Sequence, residues 1–386
     1  MNTAYGDVVL AAPVTVPYEK FSIRGAQHFL GRALRGLLEV SGLERSAIDG
    51  LCVSSFSLVP DSGIGLARAL GLELSWLDTI PLGGAAGIVA IRRAARAVQC
   101  GDVRFVACMA GDTNQPGGFR ENTARFTQAT QDAVHPIGAG GPTQGFALIT
   151  DAYMRRTGCR AEDFGTLCIA QRENAAANPL ALLRTPLSMD AYLASRPIST
   201  PLRMLDCVLP CAGAEAFLVM RRGDALALKL PHCKLLAASE RHNAFADDPV
   251  QSRGGWERDA AALYAQAGRG PDQIDLVQTY DDYPVMSFIQ LENLGFCPSG
   301  AAAAFVGAHD LRATGDFPVN TGGGQLSVGQ AGAAGGFLGI NETIRQLTGQ
   351  PTGTQVENAR TGLVSGFGMI AYDRGLCSGA AILEAA

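Results

Sequence analysis

The sequence predicts an α/β protein made of two similar halves, and three observations carry that prediction. The first is a turn of small residues, Gly83-Gly-Ala-Ala-Gly87, that opens a helical run to Val98, with the strand Val103–Ala110 directly after it. The second is Val319-Asn-Thr-Gly-Gly-Gly-Gln-Leu-Ser-Val-Gly-Gln-Ala-Gly-Ala-Ala-Gly-Gly336, set between extended Asp316–Asn320 and a helical run, Phe337–Leu347. The third is a repeat: Leu43–Val53 and Gly268–Thr279 each read as a helix end, a small loop, Ile-Asp and a strand. Gly83–Gly87 has its counterpart at 329–336, and Val103–Ala110 at Leu363–Tyr372. These landmarks lie roughly 226 to 262 residues apart, so the period is a whole domain and not a solenoid unit. The expected halves are 1–225 and 226–386.

Taken in order, Val8–Val16 reads as an opening strand. Gly25–Val40 follows as an amphipathic helix with Leu30, Leu34, Leu37 and Leu38 on one stripe. Ile48–Phe56 is a buried strand and Ile64–Leu70 a short helix. The run from Gly83 is apolar at Ile88, Ile91, Ala95 and Val98, which places a parallel sheet around a central helix. Residues 112–205 are richer in Thr, Asn, Arg and Pro, with helices at Thr143–Thr157 and Ala161–Ala177. They read as an excursion from the core that covers a site. Ala214–Arg221 resumes as a buried strand and closes the first half.

Composition narrows the function classes. Of 386 residues, 47% are apolar and 17% charged, which is the composition of a chain with a large buried core. A net charge of −5 with no block of Lys or Arg argues against nucleic acid as a partner. The ten cysteines are scattered and form no C-x-x-C pair, which points to reduced thiols and away from a disulfide framework or a zinc site. There is no basic, apolar leader and no run of 18 uncharged apolar residues, so the expectation is a cytoplasmic protein with no membrane segment.

The glycine stretch at 319–336 holds neither a Lys-Ser/Thr pair nor the spacing of a dinucleotide turn, so it is not a phosphate loop. A packing surface alone would not need Asn320, Thr321, Gln325, Ser327 and Gln330 among the glycines. A strand, a glycine turn and a helix in succession bring backbone N–H groups close to a bulky or anionic group.

Several of these motifs together resemble the thiolase superfamily, in its sterol-carrier-protein-2-type branch. They are Gly83–Gly87 before a helix, Arg203-Met-Leu-Asp-Cys207, Tyr280-Asp-Asp-Tyr283, Ile289–Cys297, the 319–336 stretch and the closing Tyr372-Asp-Arg-Gly-Leu-Cys-Ser378. The resemblance runs over nearly the whole chain. It implies duplicated βαβαβ halves in a five-layered α-β-α-β-α arrangement, a homodimer, and carbon–carbon bond formation or cleavage on acyl-CoA thioesters. Coenzyme A would enter as part of the substrate, with no covalently bound cofactor and no metal.

The family's catalysts are largely missing. The nucleophilic cysteine at the start of the buried helix falls at Gly84, or at Gly83 in a register one residue earlier, and no cysteine lies between 53 and 99. One family histidine falls at Tyr280 or beside it and the other, of a Gly-His-Pro motif, at Gln330. His135, in Val134-His-Pro-Ile-Gly-Ala-Gly-Gly141, imitates that motif but lies in the wrong half, so it is a candidate for lining the pocket only. Cys377 falls where thiolases keep a second, proton-handling cysteine.

Steroid side-chain aldolases of this branch also lack the nucleophile and carry a Tyr-Asp pair in the same loop. By that likeness the expected reaction is retro-aldol cleavage of a β-hydroxyacyl-CoA. Tyr280, as a phenolate oriented or tuned by the adjacent Asp281 and Asp282, takes the hydroxyl proton, and backbone N–H groups near Gly84 and Gly324 hold the enolate oxygen. Gln330 stands where those aldolases carry a second tyrosine. Gly83, Asn320 and Gly323 complete the expected substrate site. Those aldolases also work with a zinc-ribbon/OB-fold partner that helps bind CoA, which here would be a separate protein. Two alternatives stay open: an acyltransferase or thiolase using Cys377 or another group, and a non-catalytic acyl-CoA-binding subunit of a larger complex.

Overall fold

The computed structural model describes residues 4–58, 62–118, 136, 138 and 141–386. The first half runs β1 (Val8–Glu19), α1 (Ala26–Ser41), β2 (Gly50–Ser54), α2 (Ser62–Leu70), β3 (Trp76–Thr79), α3 (Ala86–Cys100) and β4 (Val106–Asp112). After an excursion with α4 (Pro142–Thr157), α5 (Ala161–Ala176), α6 (Met189–Leu193) and the hairpin β5 (Pro197–Ser199) and β6 (Leu202–Arg203), it closes on β7 (Ala212–Arg221). A short α7 (Arg222–Ala227) leads on. The second half is β8 (His232–His242), α8 (Gly255–Ala267), β9 (Leu276–Gln278), α9 (Pro284–Asn293), α10 (Ala302–Ala308), α11 (Gly324–Val328), α12 (Gly335–Leu347), β10 (Thr361–Ala371) and β11 (Arg374–Ala385).

The described strands form a nine-stranded sheet in the order β3-β2-β4-β7-β1-β8-β11-β10-β9. Read outward from the β1–β8 seam, the order repeats: β1-β7-β4-β2-β3 on one side and β8-β11-β10-β9 on the other. A parallel bridge from Val277 to Val319 stands in for the missing outer strand. The repeat anticipated from Ile-Asp and the glycine turns is therefore a repeat of topology. Short 3₁₀ turns, Arg45–Ala47 and Pro271–Gln273, precede β2 and β9 in the same way.

The sheet is mixed, which corrects the expectation of a parallel one. Only β2/β3, β2/β4 and β9/β10 run parallel, while β4/β7, β7/β1, β1/β8, β8/β11 and β11/β10 run antiparallel. The cause is connectivity: β10 and β11 are joined by the tight turn at Tyr372 and Asp373, which can link only antiparallel neighbours.

Two helices lie inside. α3 packs against strands of both half-sheets, and so does α12. α1 covers the outer face of the first half-sheet and α8 that of the second, which gives five layers, α-β-α-β-α. Burial of their apolar residues makes α3 and α12 central: Ile88, Ile91, Phe337, Ile340 and Ile344 are all fully buried. The two helices meet at glycines, because a side chain at Gly87 would strike the Gly336 carbonyl and one at Gly336 would come within 2.6 Å of the Gly84 carbonyl. That approach brings both helix starts to one place.

Candidate active site

A cleft of about 160 Å³ opens where the carboxyl ends of the parallel strands of both halves converge on the start of α3. β2 delivers Phe56 and Ser57, β4 delivers Asp112, β10 delivers Gly368, Met369 and Ile370, and the loop after β9 delivers Tyr280, Asp282 and Tyr283. Gly83 and Gly84 line it from the start of α3, and Gln330 and Gly332 from just before α12. From the excursion come Pro142 and Phe146 of α4, with Val208, Pro210 and Cys211 ahead of β7. The wall is mainly apolar and aromatic: Phe146 stacks on Tyr283 at 4.2 Å between centroids, and Phe367 lies 6.0 Å from Phe146.

The Tyr280 loop is held at both ends. Gln290 of α9 accepts from Tyr280 N–H at 2.9 Å and donates to its carbonyl at 2.8 Å. Asn320, in a left-handed conformation (φ 48°), accepts from Thr279 N–H at 2.8 Å and donates to Thr279 Oγ1 at 3.1 Å. The side chain of Tyr280 then lies directly against α3. A Cβ at Gly84 would overlap the Tyr280 ring at Cε2 and Cζ. The ring thus fills the space a side chain at the helix start would occupy. At its tip, the hydroxyl accepts a hydrogen bond from Gln330 Nε2 at 3.1 Å, and the same nitrogen donates to Gln325 Oε1 at 3.0 Å.

This environment corrects the expected phenolate. Burial, then Asp282 and Asp281, push Tyr280 well above the ordinary phenol range, and the Gln330 donor offsets only part of that. The group is a neutral phenol whose proton is available to a ligand in the cleft.

The neighbouring carboxylates separate by side. Asp281 turns away from the cleft and accepts from the N–H groups of Gln325 (2.9 Å) and Leu326 (3.2 Å), which ties the loop to α11. Burial pushes it up to about 7 against those donors. It holds the loop in place and so positions Tyr280 through the backbone, not by touching the phenol. Asp282, the next residue, lines the cleft. Burial and then Asp281 raise its carboxyl well above the usual range.

The structure brings Tyr280, Gln330, Gly83 and Gly84 of the expected residues together. Asn320, Gly323 and Gly324 lie behind the loop: Gly323 has Ala175 of α5 against it and Gly324 has Asp281. The backbone facing the cleft from the second half belongs to Gly332 instead of Gly324. His135 lies outside the described residues. Cys377, on β11 opposite Gly368, turns into the core shared with α3 and does not line the cleft. Burial, then Glu240, pushes its thiol up to about 12, the reverse of an activated nucleophile. Cys211 does line the cleft, but burial and Glu215 raise its thiol too.

Asp112 gives no sequence signal beyond its place at a strand end. Its carboxylate accepts from Ser55 Oγ (2.8 Å), Phe56 N (2.9 Å), Ser57 N (2.8 Å), Ser57 Oγ (2.5 Å) and Ala333 N (2.8 Å). It joins the loop after β2 to the turn before α12. Among the described residues no Lys, Arg or His lines the cleft, no cluster of three His, Cys, Asp or Glu could hold a metal, and no helix is long and apolar enough to cross a membrane.

Comparison with known proteins follows the same lines. The thiolase C-terminal domain-like family matches residues 237–378. The chain is 30% identical over 365 residues to a steroid side-chain-cleaving aldolase of Thermomonospora curvata, covering 90% of this chain and 92% of that one. It is 30% identical over 360 residues to a 17-hydroxy-3-oxo-4-pregnene-20-carboxyl-CoA lyase of Mycobacterium tuberculosis, covering 89% and 92%. Among solved structures, the Ltp2-ChsH2(DUF35) aldolase superposes with a TM-score of 0.83 at 27% identity over 98% of each chain.

Proposed function

The chain belongs to the thiolase superfamily, in its sterol-carrier-protein-2-type branch, and on that premise we propose that it cleaves a β-hydroxyacyl-CoA by retro-aldol chemistry without a covalent acyl-enzyme. The observation that carries this reading is the Tyr280 ring in the space of a Gly84 side chain. A nucleophile at the helix start and this phenol exclude one another, and the chain has kept the phenol. Breaking the Cα–Cβ bond of a β-hydroxy thioester leaves its electron pair as an enolate. The main demand is therefore a donor at the thioester oxygen rather than an attacking group. A neutral Tyr280, its oxygen already accepting from Gln330, has its own proton free to give there. The N-terminus of α3 adds a favourable field for the developing charge.

Coenzyme A is then part of the substrate. The aromatic and aliphatic wall formed by Phe56, Phe146, Tyr283, Phe367, Met369 and Ile370 suits an apolar acyl group. The solved relative is an Ltp2 assembly with ChsH2(DUF35), which supports a separate zinc-ribbon/OB-fold partner for this chain as well. We read the protein as a homodimer of chains, each with halves at 1–225 and 226–386. The test is Tyr280→Phe assayed with a β-hydroxyacyl-CoA by the appearance of the shortened acyl-CoA. The expected result is loss of cleavage with thioester binding kept, and unchanged turnover would remove the reading.

A further inference from the structure

We propose that Asp282 is a second catalytic residue of the cleft: it takes the β-hydroxyl proton of the bound thioester and returns it to the α-carbon, while Tyr280 holds the enolate oxygen. The proposal rests on the aldolase reading and supplies what that reading lacks, which is a base.

The proton ledger makes the demand explicit. In the retro-aldol step the O–H bond breaks, a carbonyl forms at Cβ, the Cα–Cβ pair moves to Cα, and a C–H bond forms there once the carbonyl product has left. One proton leaves oxygen and one reaches carbon, so the site must hold one proton in between, and no outside reagent is needed. Tyr280 is already protonated and cannot take it. Among the described titratable groups lining the cleft, Asp112 is saturated by its five donors. Tyr283 is a neutral phenol bonded to Thr143 at 2.8 Å, and burial keeps Cys211 protonated. Asp282 is left.

Its contacts fit the task. Oδ1 accepts a single hydrogen bond, from the N–H of Tyr283 at 3.0 Å, and Oδ2 meets no protein donor among the described residues. Only 7% of the residue is exposed, so the second oxygen is reserved for whatever enters the cleft. A buried carboxyl with an unfilled acceptor side stands out, because such groups are ordinarily satisfied. The charged or titratable groups around it are Asp281, Tyr280 and Tyr283 on its own loop and Cys207 ahead of β7, with no cation among them. That makes the ionised carboxylate a stronger base than an exposed aspartate.

The experiment uses propionyl-CoA in D2O, with deuterium at the α-carbon read by mass spectrometry. As a short thioester with an α C–H bond, this probe runs the second half of the reaction backwards: the α C–H breaks, Asp282 takes the proton and the enolate forms. Solvent then exchanges the carboxyl proton and a deuteron returns. Exchange by the unaltered enzyme should rise with pH as Asp282 ionises. In Asp282→Asn it should fall by about 10²- to 10⁴-fold and lose that rising limb, with propionyl-CoA affinity unchanged. Asp282→Glu should recover part of the rate. The Asn variant is isosteric and removes a desolvated charge beside Asp281, so its melting temperature should be no lower than that of the unaltered protein. Exchange that persists in Asp282→Asn overturns this role and leaves the aldolase reading standing. No exchange and no β-hydroxyacyl-CoA cleavage by the unaltered enzyme overturns both.

Discussion

The two glycine-rich helix starts are related by the internal repeat, yet they are used differently. At the first, Gly84 of one half leaves room for Tyr280 of the other. At the second, Gly332 leaves room for Asp112, which arrives from the opposite direction. Each half thus lends a polar side chain to the other's helix start through a missing Cβ. Asp112 is saturated with five hydrogen bonds, two of them from backbone N–H groups of the loop after β2 and one from the turn before α12. Tyr280 receives one, from Gln330. A group whose bonding capacity is spent within the protein holds structure together. A group left with capacity toward a cleft is available for chemistry.

The widest gap between the two sites should appear when each polar group is removed. Tyr280→Phe keeps the ring that fills the Gly84 space and loses only the hydroxyl, so it should cost about 10²- to 10⁴-fold in turnover and little stability. Asp112→Ala should do the reverse to the fold, because it takes the acceptor from the buried Ala333 N–H and from two half-buried N–H groups, and empties a cross-half tie. We expect a loss of about 3 kcal/mol, read as a lower urea midpoint at unchanged m. If Tyr280→Phe unfolded the protein while Asp112→Ala left it as stable as before, the distinction would collapse.

Next in size is Gly84→Ala. Its new methyl meets an aromatic ring on one side and the Phe367 carbonyl on the other, and neither is a flexible chain end. Overpacking of this kind costs about 1–3 kcal/mol. The same variant should lose turnover because Tyr280 must move. Gly84→Cys restores the residue type thiolases use at this point, yet it should form no acyl adduct by intact-mass measurement while Tyr280 remains.

Much of the scaffold was legible in the sequence, because strand, glycine turn and helix occur twice in the same order with the same small residues. Gly84, Tyr280 and Gln330 were picked out on a different ground, the resemblance to the thiolase superfamily, and the fold brings all three to one cleft. What was not legible depends on which way one side chain turns. Asp281 and Asp282 are adjacent in a loop that bends at the second of them, and the hydrogen bonds from Gln325 and Leu326 hold the first toward α11 while the second lines the cleft. Cys377 alternates with its neighbours along β11 and falls on the core side. Gly324 and Gly332 lie eight residues apart in one glycine run, and the sequence offers no reason to prefer either. The strand β8 escaped notice because Lys234, Ser239 and Glu240 break up its apolar positions. Asp112 needed partners from loops more than 50 and 200 residues away, a kind of evidence no local pattern carries.

The smallest effect concerns Gln330, and it tests whether the single bond to Tyr280 matters. Its Nε2 donates to the phenol oxygen, so it favours any build-up of negative charge there and lowers the energy of the proton Tyr280 shares with the thioester oxygen. Gln330→Met keeps the length and removes the donor. The phenol, already raised by burial and by Asp282 and Asp281, then rises further and becomes a weaker donor. One neutral hydrogen bond is worth about 1 kcal/mol, so turnover should fall roughly five- to tenfold. The loss should fall on kcat and not on KM, because the bond strengthens only as charge develops on the enolate. Gln330→Glu offers the phenol oxygen no N–H and adds another carboxyl beside a phenol already raised by Asp282 and Asp281, so it should fall below the Met variant. A Glu variant as active as the unaltered enzyme would mean that Tyr280 does not work as a donor from this position.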